Sequence, residues 1–235
     1  MHRLSFLAAA AFLLAATPSL AQEYRSSANT TRGYTGYSQE FPNVQMKRRA
    51  DNLVVSITVA CDTRDADARK REITETLRAL ARTANADAAI DLSLDKDGAV
   101  VAFDEGMVPN LTFFLDSGRA DTDAVILVVK TPLSTTDTLE AASDRIKAFI
   151  DAAPKTGRSE LRIMHDWEPT VVSPDQYRDD LLALIAADAR ATSGAFGNRY
   201  GVEVTGMHRQ VTWRPAGPLD LSLFIPYTMS ITPAS

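Results

Sequence analysis

Ala124–Val129 reads A-V-I-L-V-V, an unbroken apolar run between Asp123 and Lys130. Such a run suits a strand covered on both faces, and it requires packed layers around it. The flanking segments supply them. Leu53, Val55, Ile57, Val59 and Cys61 alternate with Val54, Ser56, Thr58 and Ala60, which is the period of a strand. Asp62 and Thr63 then offer helix caps. Ala66, Arg69, Ile73, Leu77, Leu80 and Ala84 trace the buried stripe of a helix running to about Thr83. Its basic residues (Arg64, Arg69, Lys70, Arg71, Arg78 and Arg82) are expected on a solvated face paired with Asp65, Asp67, Glu72 and Glu75, with arginine stems along the edge of the stripe.

Ile90–Leu94 and Ala99–Phe103 read as strands joined at an Asp97-Gly98 hairpin turn, and Leu111–Leu115 as a third short strand. Beyond the apolar run, Leu139, Ala142, Ile146, Phe149 and Ala153 form a second amphipathic helix, begun by Asp137 and Glu140 and followed by Pro154. Leu161, Ile163, His165 and Trp167 continue as a strand that Pro169 ends. A third helix carries explicit punctuation: Ser173 as N-cap, Pro174 at the first helical position, Gln176 to close a capping box, and Gly197 at the end. Tyr177, Leu181, Leu184 and Ile185 put its apolar residues on one face. Gly201 opens the strand Val202–Val204, and the segment closes at Trp213. After the turn Arg214–Pro218, Leu219, Leu221, Leu223, Ile225, Tyr227, Met229 and Ile231 alternate as one long strand lying across a sheet, with an edge or bulge at Pro226. The order of elements gives an α+β fold of mixed or mostly antiparallel sheets packed with three main helices.

The first residues have another character. His2 and Arg3 precede an apolar stretch, Leu4–Ala16, and Ser19-Leu20-Ala21 is a small-x-small cleavage site, so residues 1–21 read as a signal peptide and the mature chain as starting at Gln22. Residues 22–50 read as a poorly ordered or extended leader, with Tyr24, Tyr34 and Tyr37 as solvated linker residues. The folded domain then covers 51–235, with a division into subdomains at about 51–120 and 121–235 left open. Exported proteins often rely on disulfides, but Cys61 is the only cysteine, so stability must come from the core and from assembly; Cys61 itself reads as a small buried hydrophobe. A net charge of −5 argues against a general nucleic-acid binder.

Candidate chemistry is sparse. The only imidazoles beyond the N-terminal segment are His165 and His208, and no G-x-S-x-G elbow is present. A triad of His165-Asp166 with Ser173 or Cys61 competes with packing of His165 at the core rim. His165, Asp166 and His208 are the best metal set, weakened because neighbouring strand residues face opposite ways. Asp95, Asp97, Asp104 and Glu105 read as solvated turn residues, against a weak calcium site whose spacing fits no known loop. Trp167 and Trp213 read as packing anchors. No catalytic, cofactor or metal residues are assigned.

Pro174, Arg178, Asp179, Ala183, Asp188-Ala189-Arg190-Ala191 and Gly201-Val202-Glu203-Val204 follow a P-x-x-x-R-D…A-x-x-x-x-D-A-x-A…G-V-x-V pattern. This resembles the SIMPL domain, also called DUF541, of bacterial envelope proteins. The resemblance covers roughly 53–232 and is sharpest between Ser173 and Val204. Asn43–Asp51 lacks the Gly-x-Gly and Pro-Asp usual at the family's start, and the Pro- and Met-rich loop is reduced to Arg214–Pro218, so the chain would be a divergent member. The resemblance implies a non-enzymatic periplasmic protein, with outer-membrane association left open. It would act through contacts with itself as a homo-oligomer or with other envelope proteins, in envelope or oxidative stress, with no cofactor. The alternative is a periplasmic protein that binds a small ligand or metal near His165, Trp167 and His208.

Overall fold

The segment Asn52–Cys61 forms strand β2 and is buried along its whole length, on both faces. The computed structural model describes residues 41–96, 99–116, 119, 121–164 and 167–233. In it, β2 lies at the centre of an antiparallel sheet with β3 (Asp91–Lys96), β4 (Ala99–Ala102), β6 (Asp123–Pro132) and β7 (Ser159–Ile163), in the order β4-β3-β6-β2-β7. Two short strands complete it: β5 (Phe114–Leu115) on β6, and β8 (Glu168–Thr170) on β2. Register explains the layering. Val55, Ile57, Val59 and Cys61 of β2 share a face with Val125, Leu127 and Val129 of β6, opposite which they pair directly or diagonally. Helices α1 (Ala66–Asn85) and α2 (Leu139–Ala152) cover that face with Ile73, Leu77, Leu80, Ile146, Phe149 and Ile150.

The reverse face is treated differently. There Ser56, Thr58 and Ala60 lie low between longer neighbours, and Ile126 of β6 is 38% exposed. The run Ala124–Val129 has helices on one face, and on the other Ala124 and Val128 are buried as expected of a strand covered on both faces, with Ile126 the exception. A ladder of ion pairs lies around this outer face: Arg162 to Asp116 at 2.7 Å and to Glu160 at 3.3 Å, and Lys130 to Asp91 at 3.4 Å. An antiparallel sheet with one wet face tolerates this arrangement.

The rest of the chain builds a second core. β1 (Met46–Arg49), β11 (Asp220–Phe224) and β10 (Thr212–Pro215) form a three-stranded antiparallel sheet in the order β1-β11-β10. Trp213, Leu221, Leu223 and Ile225 pack there against Leu181 and Ile185 of α3 (Arg178–Phe196). β9 (Tyr200–Thr205) and β12 (Thr228–Pro233) pair as a separate two-stranded ribbon against α3. The class is α+β, as expected, with three main helices and antiparallel strand pairs.

Several boundaries differ from expectation for local reasons. β1 lies inside the stretch read as a leader; Val44 and Met46 pack on the second core and Lys47 bridges Asp220 at 3.0 Å. The cap of α1 is Asp65, accepting from Ala68 N–H, rather than Asp62 or Thr63. α2 is capped by Thr138. Only Phe114–Leu115 of the expected 111–115 strand is paired, on β6, and a 3₁₀ turn capped by Asp104 occupies Glu105–Asn110 just before the segment. Of the strand expected over 161–167, β7 ends at Ile163 and His165 lies outside the described residues, while Pro169, expected to end it, lies within the short strand β8. The long strand expected over 219–231 breaks at Ile225-Pro226-Tyr227 into β11 and β12, which serve different sheets.

The one-sided layering has a measurable consequence. Leu127→Ala, which opens a void beneath the helices, should lower unfolding free energy by about 2–5 kcal/mol in urea titrations. Ile126→Ala, one residue away on the wet face, should cost less than about 1 kcal/mol.

Candidate functional site

Three features outside the cores bring polar or exposed apolar groups together. At the end of β2, Cys61 is fully buried, as its apolar register requires, but its Sγ has polar neighbours. It lies 3.3 Å from Glu72 Oε2 and 3.6 Å from Thr63 Oγ1. Glu72 leaves the solvated face where the sequence placed it and turns inward across the end of the sheet. Its Oε2 accepts from Thr63 Oγ1 at 2.6 Å and from Arg158 N–H at 2.9 Å. Gly157, at φ +58°, makes room, since a Cβ there would collide with the Glu72 carboxylate. The Arg158 backbone N–H, followed by the Thr63 hydroxyl and the Cys61 thiol, holds the Glu72 carboxyl below the ordinary range. Arg158 also grips Asp62 through Nε at 2.6 Å and Nη2 at 2.9 Å. Arg69, 8% exposed, spans the neighbouring position, donating to Asp123 Oδ2 at 2.9 Å and to the Thr63 carbonyl at 2.8 Å. The thiol thus serves as a donor to the Glu72 carboxylate within a buried hydrogen-bonded cluster. The arrangement fastens the α1 entrance to the β7 turn. Glu72 is a polar residue one position from the stripe residue Ile73, and only a glycine in the turn after Pro154 hints at the close approach.

The second feature is a groove of about 700 Å³ where the two cores meet, lined by Arg49, Thr138, Leu139, Trp167, Leu219 and Asp220 among others. Arg49 spans one side, donating through Nε to the Ser134 carbonyl at 3.0 Å. Asp137 anchors the start of α2: the Arg145 guanidinium and then the Ser134 N–H pull its carboxyl down to about 2. Trp167 contributes an aromatic wall and carries Lys147 Nζ 5.8 Å from its ring centroid. The groove joins an aromatic face to flanking carboxylates.

The third feature is the far end of α3 with its ribbon. Leu181 and Ile185 are buried, and Phe196 continues their stripe past the end of the core, where it is 54% exposed. Its ring meets Tyr200 edge-on, centroids 6.3 Å apart. Tyr200 and Val202 share a ribbon face with their cross-strand partners Pro233 and Ile231, and both Tyr200 and Ile231 are more than one-third exposed.

The residues singled out in the sequence fall as follows. His165, Asp166 and Asp97 lie outside the described residues, and the Asp95 side chain is also undescribed. His208 lies in the turn after β9, between Met207 and Arg209, whose carbonyls both accept from Arg178. Trp213 is a buried packing anchor of the second core, whereas Trp167 is partly buried at the groove. Asp104 is a cap and Glu105 pairs with Arg82 at 2.7 Å, so both serve local structure. Ser173 does not cap α3. It adopts φ +48°, its side chain makes no capping bond, and Gln176 Nε2 donates instead to the Val172 carbonyl, so the expected capping box is absent. Leu184 is 43% exposed rather than on the buried face. Among the described residues no three His, Cys, Asp or Glu side chains converge as a metal set.

The lowered carboxylates set an acid dependence. A carboxylate depressed in the folded state stabilises above its unfolded value, about 4.3 for Glu and 3.9 for Asp, and that contribution disappears as pH falls through the folded value. Urea midpoints should hold steady above about pH 5 and fall on further acidification as these groups protonate, Asp137 near 2 being among the last. Glu72→Gln should have a lower midpoint than the parent at pH 7, and the two curves should converge as acidification protonates the lowered Glu72 carboxylate. Parallel curves would show that Glu72 adds nothing through its charge.

No protein-family model matches the chain, and no curated protein matches it at a significant level.

Proposed function

We propose that this is an exported, non-enzymatic protein of the bacterial periplasm that works through protein contacts and assembles with copies of itself. The observation that carries this reading is the α3–ribbon arm, where the stripe begun by Leu181 and Ile185 runs out of the core onto exposed Phe196, Tyr200 and Ile231. Aromatic and aliphatic groups left together at the end of an arm are suited to burial against a protein surface. The signal-like residues 1–21 and the SIMPL-like pattern between Pro174 and Val204 support the location and a role in envelope or oxidative stress. No described helix is long and apolar enough to cross a membrane.

The groove beside Trp167 favours a second reading, a small-ligand protein. Its volume and its aromatic wall suit a compact organic molecule. A thermal-shift screen decides it: a compound that stabilises the parent chain but not Trp167→Ala would support a ligand site there, and uniform failure across aromatic and cationic compounds would remove the idea.

The leading reading is tested by export and mass. Intact-mass measurement of the periplasmic fraction should find a chain starting at Gln22, and light scattering at micromolar concentrations should give a multiple of the monomer mass. Phe196→Ser with Tyr200→Ser should shift the distribution toward monomer. A strictly monomeric parent chain overturns the assembly reading.

A further inference from the structure

We infer that the outer edge of β12 is the seam between two copies of this chain, paired antiparallel across a two-fold axis. The inference rests on the self-assembly reading above and specifies its contact. Among the described residues, β12 is hydrogen-bonded on one side only, to β9, so its other side presents backbone donors and acceptors. Free edges are usually guarded by charge, proline or brevity, and the other edges of this fold are guarded in those ways. β1 carries Lys47, Arg48 and Arg49; β7 carries Glu160 and Arg162; β10 carries Arg214 and Pro215; β4 is only four residues long. β12 reads T-M-S-I-T-P, six residues with no charge, and its one proline is at the last position.

The pattern of β12 also selects the partner. In an antiparallel pair about the middle of the strand, each residue meets one of the same parity, so faces are preserved. With the axis at Ser230, Met229 of each copy would meet Ile231 of the other and extend the apolar face that already carries Val202, Val204 and Tyr200. Thr228, Ser230 and Thr232 would meet each other on the polar face. No like charges oppose at any position. The β9 edge fails the same test, because Glu203 lies near its centre and would face Glu203 of the other copy. Pairing through β12 turns two ribbons into one four-stranded sheet, which removes the instability of an isolated two-stranded ribbon. A C2 contact of this kind is closed, so the seam yields dimers or assemblies built from dimers.

The experiment uses the full chain expressed with its own N-terminus, in parent form and as Ser230→Lys and Ser230→Glu, with circular dichroism melts to confirm that each variant folds. Sedimentation velocity should show the parent associating, and each variant alone should associate at least about tenfold more weakly because like charges then face each other across the axis. Mixing the Lys and Glu variants in equal amounts should restore association. If both variants associate as tightly as the parent, the seam is elsewhere, although the self-assembly reading stands. If the variants are weakened but the mixture is not rescued, the edge contacts something other than its own copy and the proposal fails. A parent chain that remains monomeric overturns both readings, and would be the outcome if a segment of the chain's own N-terminal forty residues occupied the edge.

Discussion

The fold depends on the crossing of the backbone at Ala50-Asp51. Here the chain leaves β1, in the small sheet, and enters β2, in the large one, and both backbone donors of the crossing are engaged. Ala50 N–H donates to the Leu219 carbonyl, Asp51 N–H to the Thr170 carbonyl, and the Asp51 carbonyl accepts from Leu133 N–H, all between 2.8 and 2.9 Å. The Asp51 carboxylate accepts from Val172 N–H at 2.8 Å. Backbone in a crowded junction must find partners or lose the cost of its desolvation, and these bonds come from segments far apart in sequence. One aspartate thus ties the ends of β6 and β8 and the approach to α3 to the start of β2. The groove beside Trp167 is the space left where the two cores diverge.

Around that crossing the two halves solve burial differently. The large sheet places two amphipathic helices on one face and carries the ion pairs of Arg162 and Lys130 on the other. Small residues of β2 such as Ser56, Thr58 and Ala60 are buried without a second helical layer. The second core has a less regular helix. α3 is rich in alanine, buries only Leu181 and Ile185 fully, and relies on Trp213 and the alternate residues of β11 for bulk. A helix that commits so little of its surface to the core has the remainder available for the ribbon and for contacts beyond it.

Legibility in the sequence followed the strength of local periodicity. α1 was readable to within two residues because Ile73, Leu77, Leu80 and Ala84 leave no alternative face, and β2 because strict alternation excludes a helix. Features set by distant contacts were not readable. Ser173-Pro174 carries the signature of a cap, yet Ser173 is driven to φ +48° and the helix begins with a 3₁₀ turn; the spacing of a capping box cannot report the backbone angle of its first residue. Alternation from Leu219 to Ile231 persists through Pro226, so periodicity alone could not show that the strand changes sheets there, although the proline marked the place. Glu72 was illegible for a different reason. A glutamate at the margin of an apolar stripe reads as solvated, and only the fold brings Thr63, Cys61 and Arg158 within reach of it.

A two-stranded ribbon is marginal on its own, and here it lies against α3, which has no fully buried residue beyond Ile185, with Val204 reaching the second core. Such an element persists in a chain that has no disulfide to hold it, since Cys61 is single and buried at the opposite end of the large sheet from the crossing. Its apolar side chains are aligned on one face and its uncharged strand is on the outside, which is the reverse of how a solitary protein protects a free edge. If burial of that strand is part of the native state, the stability of the arm belongs to the assembly rather than to the monomer, and the physical link between fold and function in this protein lies there.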